Sequence, residues 1–324
     1  MTTTFTQPFN DSPLQGDYTD DQIIEMFLAV RCKSSYTQRN YSKAIEKFRK
    51  FISHKSLRQV TWREVEAYKI GLIKGYCSIT GKPQAQGTVA GLLAPLRSLY
   101  KWGSDPNIAI FPHNPTTSVQ SPKVSINSQN HYLTRSEAGE LLEQLKNQGD
   151  RNYLIGLALI LLGLRVSELV AVRPSDFHYD PSGKFTWLTV VNGKGGKRRE
   201  VKVPNVLWEP MLPYIGKQSV PALETAENAN HKIKDKPIFP ISIRQVERII
   251  AEAALQCGLG KKVTPHWLRH TNATLALLYG ASLQQVQESL GHSHMNTTQR
   301  YLHTVEQLKK AAPDFVEDSL RDFF

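Results

Sequence analysis

The sequence predicts a mainly helical protein of two domains with one small antiparallel β element. Apolar residues recur at helical spacing along much of the chain, whereas one pair of β-branched, aromatic stretches flanks a glycine-rich turn. A segment rich in Asn, Ser, Thr, Pro and Gln, residues 114–131, interrupts the periodic pattern. We expect this segment to be a linker between a helical domain and a mixed α/β domain.

The chain carries a large excess of positive charge. Its 324 residues are enough for two domains that each bury a core. The formal net charge is +11, which favours a polyanionic partner: nucleic acid first, an anionic membrane surface second.

Cysteine usage and the N-terminus indicate a cytoplasmic protein. Cys32, Cys77 and Cys257 are far apart and form no CxxC pair, so we expect neither a disulfide framework nor a cysteine zinc site. Residues 1–21 lack the basic and apolar regions of a signal peptide. The most apolar run, Leu154–Leu164, is too short to span a bilayer and is predicted to be a buried helix.

The helical domain is predicted to cover residues 21–113, behind a mobile acidic leader at 1–20. The first 30 residues contain five acids and no Lys or Arg, whereas residues 31–69 contain eleven Lys or Arg and three Glu. One helix places Tyr41, Ile45, Phe48 and Ile52 on its core-facing side. A second helix begins near Thr88 and ends near Gly103.

Basic side chains lie outside the apolar stripes of these two helices. Such a face is either simply solvated or a contact for nucleic-acid phosphates. The candidate DNA contacts are Arg39, Lys43, Arg97 and Lys101.

The mixed domain is predicted to cover residues 132–324 and to begin with a helix. Thr134 and Glu137 fit a capping box ahead of an apolar run. Further along, "KFTWLTVV" and "RREVKVP" are predicted strands, and "NGKGGK" is the turn between them. The lysines of this turn therefore project from the tip of a hairpin.

The segment from Thr264 to Tyr301 concentrates the residues suited to catalysis. Thr264 and Pro265 mark a helix start, which places His266 and Arg269 on one face of its first turns. Ser282 and Gln285 cap the next helix, and Gly291 ends it just before His292. Tyr301 follows near the start of a last helix.

Two kinds of chemistry fit this segment. His266, His270 and His292 could form a zinc site, but the spacing lacks the glutamate base of zinc hydrolases, and a neighbouring arginine disfavours a metal. Chemistry on a phosphodiester requires forked cations, a nucleophile and an acid, which arginine, tyrosine and lysine supply. No Asp/Glu cluster of the two-metal type accompanies these residues, which favours a mechanism without metal.

Four separated motifs resemble those of the tyrosine recombinases, the phage-integrase family, with the compact Xer-like enzymes as the nearest relatives. They are "GLRVSEL", the hairpin "GKGGKRREVKVP", "HWLRHTNATLALLYG" with "LGHS", and "NTTQRYLH". They cover the second domain, which by resemblance is a tyrosine-recombinase catalytic domain. The first domain resembles the family's SAM-like core-binding domain more loosely.

The resemblance implies a role for each matching residue. Arg165 and Arg269 would bind the scissile phosphate, and His266 and His292 would contact its oxygens. Tyr301 would attack and form a 3′-phosphotyrosine, while Lys194, with Lys197 as the alternative, would protonate the leaving 5′-oxygen. The remaining cations of the hairpin would hold backbone phosphates. Glu168 would orient its neighbours; an ordinary surface ion pair is the alternative for it.

These implications together describe a site-specific DNA recombinase that needs neither cofactor, metal nor ATP. By resemblance, it would act on duplex DNA with specific sites, as a tetramer on two duplexes. The alternatives are a type IB topoisomerase-like enzyme, which relaxes DNA with similar residues, and an architectural DNA-binding protein with a vestigial site. A C-terminal tail helix with apolar Phe315, Leu320 and Phe323 is predicted either to dock on a neighbouring protomer or to pack on its own domain.

Overall fold

The computed structural model describes a mainly helical chain with one small antiparallel sheet. The described residues are 18–77, 81–123, 131–191, 198–219, 235–292, 298–299, 301, 305 and 312–321. The chain divides into two compact units, Met1–Ser125 and Ile126–Phe324. The predicted fold class, mostly helical with a small antiparallel β element, is confirmed.

The first unit contains four α-helices around an apolar core. They are α1 (Asp20–Arg31), α2 (Ser35–Phe51), α3 (Trp62–Lys74) and α4 (Gln86–Gly103), with a short 3-10 turn at Leu57–Gln59. The apolar stripe predicted on α2 is confirmed, since Ile45 and Phe48 are fully buried and Ile52 nearly so. Fully buried Tyr68 and Tyr100 complete the centre of this core.

Both ends of this unit are more closely packed than the sequence indicated. Thr19 caps α1 through its side chain, and Asp20 accepts a hydrogen bond from the backbone of Leu57, so the predicted leader overlaps the first helix. At the other end, Val119 lies in the apolar core although it belongs to the predicted linker. Arg97 donates to the backbone oxygen of Val119 and to Ser121, which holds the segment after α4 against the unit.

The second unit is built around one largely buried helix. Its elements, in chain order, are α5 (Arg135–Asn147), α6 (Asp150–Leu162), α7 (Val166–Leu169), β1 (Phe177–Tyr179), β2 (Thr186–Val190), β3 (Arg199–Val203), α8 (Asn205–Ser219), α9 (Ile243–Gln256), α10 (Pro265–Leu278), α11 (Leu283–Leu290) and α12 (Ala312–Leu320). A 3-10 turn, Pro174–Asp176, precedes β1. Nearly every residue of α6 from Leu154 onward is buried, as the apolar run predicted.

The three strands form one antiparallel sheet in the order β1-β2-β3. The predicted pairing of the two strands is confirmed: Thr186 pairs with Val203 at one end and Val190 with Arg199 at the other, while the turn predicted between them, at 192–197, lies outside the described residues. Leu188, Val190, Val201 and Val203 are buried, so alternate residues of both strands face the core. Strand β1, which the sequence did not indicate, pairs with the edge of β2 opposite β3.

The described residues include no helix that is long and apolar enough to cross a membrane. In the tail, Leu320 of α12 is 41% exposed. The side chains of Phe315 and Phe323, predicted to share its apolar stripe, lie outside the described residues.

Gly163 ends α6 and directs the chain toward the candidate site. Its φ of +58° is in the left-handed region, which glycine adopts without a steric cost. A Cβ at this position would lie 2.5 Å from Leu290 Cδ2 and 2.7 Å from Asn272 Oδ1. Asn272 cannot simply turn away, because its Nδ2 donates to the backbone oxygens of Ile160 and Leu161 at the end of α6.

We predict that Gly163→Ala destabilises the protein more than Gly183→Ala. Both glycines have a positive φ, so each alanine incurs about 1–2 kcal/mol for the left-handed backbone. Only at position 163 does the added methyl group meet packed side chains, which adds about 1–3 kcal/mol to the loss of stability. Urea denaturation of the two variants measures the difference. Equal losses would show that the contacts with Leu290 and Asn272 relax freely.

Candidate active site

The link between α6 and α7 places Arg165 beside Glu168. Arg165 is the N-cap residue of α7, and Glu168 is three residues later in its first turn. The carboxylate accepts the backbone N–H of Arg165 at 2.9 Å and its guanidinium Nη1 at 2.7 Å. The Glu168 side chain is 1% exposed and that of Arg165 27% exposed. Glu168 is therefore buried and paired, and its interpretation as a surface ion pair is wrong.

A second arginine completes the surroundings of the carboxylate. Arg199, the first residue of β3, donates Nη1 and Nη2 to the two Glu168 oxygens at 3.0 and 2.7 Å. Burial favours the neutral acid, but the hydrogen bonds from Arg199 and Arg165 outweigh it and hold the pKa of Glu168 below its usual value. The carboxylate is thus charged at neutral pH.

Arg199 was predicted to hold DNA phosphates together with the other cations of the hairpin, and this is wrong. Its side chain is only 9% exposed, and its Nε donates to the backbone oxygen of Ser289. Residues Val201 and Val203 of the same strand are buried, so Arg199 occupies an inward-facing position of β3. Its charge is used inside the protein.

Arg269 lies at the meeting point of two helix ends. The residue is 3% exposed, and its Nη1 and Nη2 donate to the backbone oxygens of Gly163 and Leu290 at 2.5 and 2.6 Å. These carbonyls follow α6 and end α11, where the helix dipole favours a cation. Burial and the charge of Arg165 lower the pKa of Arg269 to about 10, so it stays protonated at neutral pH.

Two histidines one turn apart on α10 extend the site. The rings of His266 and His270 meet edge to face at a centroid distance of 4.3 Å. Removal from water on its packed side, followed by the charges of Arg269 and Arg165, lowers the pKa of His266. Burial and the neighbouring His266 lower the pKa of His270 to about 4. His270 Nδ1 is buried and has no hydrogen-bond partner among the described residues.

His292 follows the glycine that ends α11. Gly291 has a φ of +65°, and the backbone of His292 is held through its N–H and its carbonyl by Gln287. The ring Nδ1 lies 2.9 Å from the hydroxyl of fully buried Thr298. Burial, then the charges of Arg269, Arg165 and Arg199, lowers the pKa of His292 to about 4.

Tyr301 lies between two of these histidines. Its ring stacks on His292 at a centroid distance of 6.4 Å with an interplanar angle of 6°, and it meets the His270 ring at 5.3 Å. It also packs against the small apolar cluster that includes Leu277 and Val305. Arg269 is near enough for the tyrosine to affect its pKa.

The structure brings together six of the seven residues predicted for catalysis. They are Arg165, Glu168, His266, Arg269, His292 and Tyr301. Lys194 and its alternative Lys197 lie outside the described residues. Of the predicted DNA contacts in the first unit, Arg39, Lys43 and Lys101 are exposed. Arg97 instead uses both terminal nitrogens on the segment after α4.

Two neighbours of the site were not recognised as such from the sequence. Arg199 could have been noticed, since alternation along β3 places it on the same face as Val201 and Val203. His270 was considered only as a zinc ligand. Within the described ranges, no group of three or more His, Cys, Asp or Glu side chains is arranged to hold a metal ion.

Comparison with known proteins identifies similar chains. The model of the phage integrase family matches residues 131–307. A tyrosine recombinase of Pseudothermotoga lettingae is 30% identical over 296 residues, which cover 89% of this chain and 96% of that protein. XerH site-specific recombinase bound to a palindromic difH substrate in a post-cleavage complex has a TM-score of 0.66 at 20% identity, covering 92% of this chain and 83% of that one. A lambda integrase tetramer bound to a Holliday junction has a TM-score of 0.63 at 19% identity, and the match covers 87% of this chain and 75% of the lambda integrase chain.

We predict that His270 and His292 remain neutral until the pH falls to about 4, where they are expected to titrate. The ordinary pKa of a histidine side chain is 6.5, so between pH 6.5 and 4 the unfolded chain binds protons that the folded chain does not. The free energy of unfolding should therefore fall as the pH is lowered through this window. Nitrogen-15 NMR of the rings measures the titration, with the urea-unfolded protein as the reference.

The variants His270→Asn and His292→Asn test the assignment residue by residue. Each should reduce the proton uptake on unfolding below pH 6.5 by up to one proton. Rings that titrate near 6.5 in the folded protein would contradict the prediction.

Proposed function

The chain belongs to the phage integrase family, and from this premise we propose that it is a site-specific DNA recombinase. It cuts one strand of a duplex, keeps the broken end as a 3′-phosphotyrosine and rejoins that end to another strand. The observation that carries the proposal is the position of Tyr301 next to His270, His292 and the Arg269 guanidinium. A nucleophile beside forked cations suits attack on a phosphodiester.

The two arginines are suited to bind the scissile phosphate. Arg165 uses one terminal nitrogen of its side chain on Glu168 and remains partly exposed. Each terminal nitrogen of Arg269 that donates to a carbonyl carries a second hydrogen. Their combined positive charge stabilises the extra negative charge that develops on the non-bridging oxygens during attack.

The histidines act in this mechanism as neutral hydrogen-bonding groups. His292 Nδ1 is paired with the Thr298 hydroxyl. When Thr298 donates to that nitrogen, the neutral ring carries its proton on Nε2 and donates from there to a phosphate oxygen. His266, which is exposed at the surface of the site, contacts the second oxygen in the proposed mechanism.

The bond changes balance without an external energy source. The Tyr301 oxygen forms a bond to phosphorus as the bond to the 5′-oxygen breaks, and the tyrosine proton passes to solvent water. Lys194, from the segment of the chain between β2 and β3, protonates the departing oxygen. A 5′-hydroxyl reverses these steps, and the phosphotyrosine retains the bond energy, so that the reaction needs neither ATP nor a metal.

DNA binding by the first unit is part of the same proposal. Arg39 and Lys43 on α2 and Lys101 on α4 are exposed cations suited to backbone phosphates. Arg97 is not included, because its terminal nitrogens are bound to Val119 and Ser121.

We further propose that the chain assembles as a tetramer on two duplexes that carry specific sites. The similar lambda integrase is described as a tetramer bound to a Holliday junction, and XerH as bound to its own substrate. The match to a tyrosine recombinase over nearly its full length supports strand exchange over simple relaxation or a purely architectural role. We expect the protein to act in the cytoplasm.

We predict that Tyr301→Phe binds DNA almost normally but forms no covalent adduct. The hydroxyl is the nucleophile, whereas affinity comes mainly from phosphate contacts. A duplex selected from a random pool by the wild-type protein, nicked close to the cut, serves as the substrate. A denaturing gel in excess EDTA detects the adduct.

Tyr279→Phe is the matched control, since Tyr279 is 71% exposed at the end of α10. It should form the adduct at the wild-type rate. A covalent adduct formed by Tyr301→Phe would refute the assignment of Tyr301 as the nucleophile. Loss of the wild-type adduct in EDTA, restored by zinc or magnesium, would refute the metal-free mechanism.

We predict that Lys194→Ala slows cleavage by about 100- to 10,000-fold, the usual contribution of one general acid. A substrate with sulfur in place of the bridging 5′-oxygen needs no acid, because a thiolate leaves readily. It should restore most of the rate to Lys194→Ala and little to Arg165→Ala. Rescue of Lys197→Ala instead would assign the acid to Lys197, and a normal rate for Lys194→Ala on ordinary DNA would exclude a catalytic role for it.

A further inference from the structure

Arg199 connects three parts of the second unit at the base of the hairpin. It pairs with Val190 as the first residue of β3, and its side chain is turned inward. From there it reaches Glu168 on α7 and the backbone oxygen of Ser289 on α11. A charged side chain at an inward strand position is costly unless its partners are fixed.

The contacts of Arg199 with Glu168 determine what Arg165 is free to do. The Glu168 carboxylate is almost completely buried, so its charge must be compensated by protein groups. Arg199 occupies both of its oxygens, and Arg165 adds only one side-chain bond to Oε1. The Nε and Nη2 of Arg165 are therefore not needed by the carboxylate.

Arg199 also supports the turn that carries His292. Its Nε donates to Ser289, and its Cδ would lie 2.8 Å from a Cβ built on Gly291, so the arginine stem packs directly on the backbone of this glycine. Ser289 and Gly291 belong to the three residues that precede His292. One side chain thus touches the supports of both a phosphate-binding arginine and a histidine of the site.

We propose that Arg199 is a positioning residue for phosphate binding. By satisfying Glu168 it keeps Arg165 from turning its whole guanidinium onto the buried carboxylate, and by holding the end of α11 it places His292. Arg199 itself does not touch the substrate. The inference rests on the proposed function, because it concerns how the same site binds its phosphate.

The test compares Arg199→Met with Arg248→Met, an exposed arginine on α9 that pairs with Glu252 in the same unit. Single-turnover cleavage is measured on three versions of the selected duplex. One has the ordinary scissile phosphate, one has an uncharged methylphosphonate at that position, and one has the bridging sulfur. For each substrate the rate of the variant is divided by the wild-type rate.

We expect Arg199→Met to slow cleavage of the ordinary phosphate at least tenfold and Arg248→Met to leave it unchanged. Because the methylphosphonate has less charge to bind, the defect of Arg199→Met should shrink on it, and we expect the same of Arg165→Ala. The bridging sulfur should give little rescue. Arg199→Lys, which keeps the charge but not the fork, should retain an intermediate rate.

A second variant keeps the test decisive if Arg199→Met folds poorly. With Glu168→Gln the buried charge is removed, so the double variant Glu168→Gln/Arg199→Met should fold better than Arg199→Met alone, as thermal melting reports. Its cleavage defect should be smaller than the product of the two single defects, because both act through one carboxylate.

Three results would overturn the inference. They are a normal rate for Arg199→Met, an equal defect on all three substrates, and rescue by the bridging sulfur, which would place its effect on the leaving group. Each leaves the proposed function intact as long as the wild-type protein forms the Tyr301-dependent adduct. Absence of that adduct would refute the proposed function itself.

Discussion

The candidate site depends on how the protein compensates a cluster of buried positive charge. Arg165, Arg199 and Arg269 are close enough for the charges of the first two to lower the pKa of the third. Three guanidinium groups in a partly buried site would repel one another without a counter-charge. The compensation comes from the Glu168 carboxylate and from the carbonyls of Gly163, Ser289 and Leu290. These acceptors belong to α7 and to the segments at the C-terminal ends of α6 and α11, which explains why these elements meet here.

Burial and nearby positive charge together keep His270 and His292 neutral. His270 and His292 lie in partly buried positions near Arg269, and both burial and positive charge disfavour a protonated ring. The arginines can therefore supply the positive charge while the imidazoles remain neutral donors and acceptors. This division suits binding of an anionic phosphate. A neutral imidazole contributes a directed hydrogen bond without adding to the repulsion among the cations.

Two glycines at helix ends, Gly163 and Gly291, bring these groups together. Each one is a local turn signal, and each also allows close packing with residues from distant parts of the chain. Gly163 ends α6, and its carbonyl oxygen accepts a hydrogen bond from Arg269. Because glycine has no Cβ, Leu290 and Asn272 can pack close to its backbone. Gly291 turns the chain out of α11 and makes room for the stem of Arg199. Two glycines thus serve both as helix ends and as places of close approach. A single methyl group at either one would disturb packing and site together.

The sequence by itself determined the fold class, the hairpin, the helix caps at Thr134 and Ser282, and the candidate catalytic residues. The fold class, the strands and the caps depend on local periodicity and capping, which can be read from consecutive residues, whereas the candidate catalytic residues came from the resemblance of four motifs to the tyrosine recombinases. The partners of the arginines were decided by the tertiary structure alone. Arg97 and Arg199 looked like cations for DNA, yet one binds the segment after α4 and the other binds Glu168, which is 31 residues away in the chain. The physical reason is that a guanidinium pairs with whichever acceptors the fold buries beside it, and for both arginines these acceptors come from distant segments.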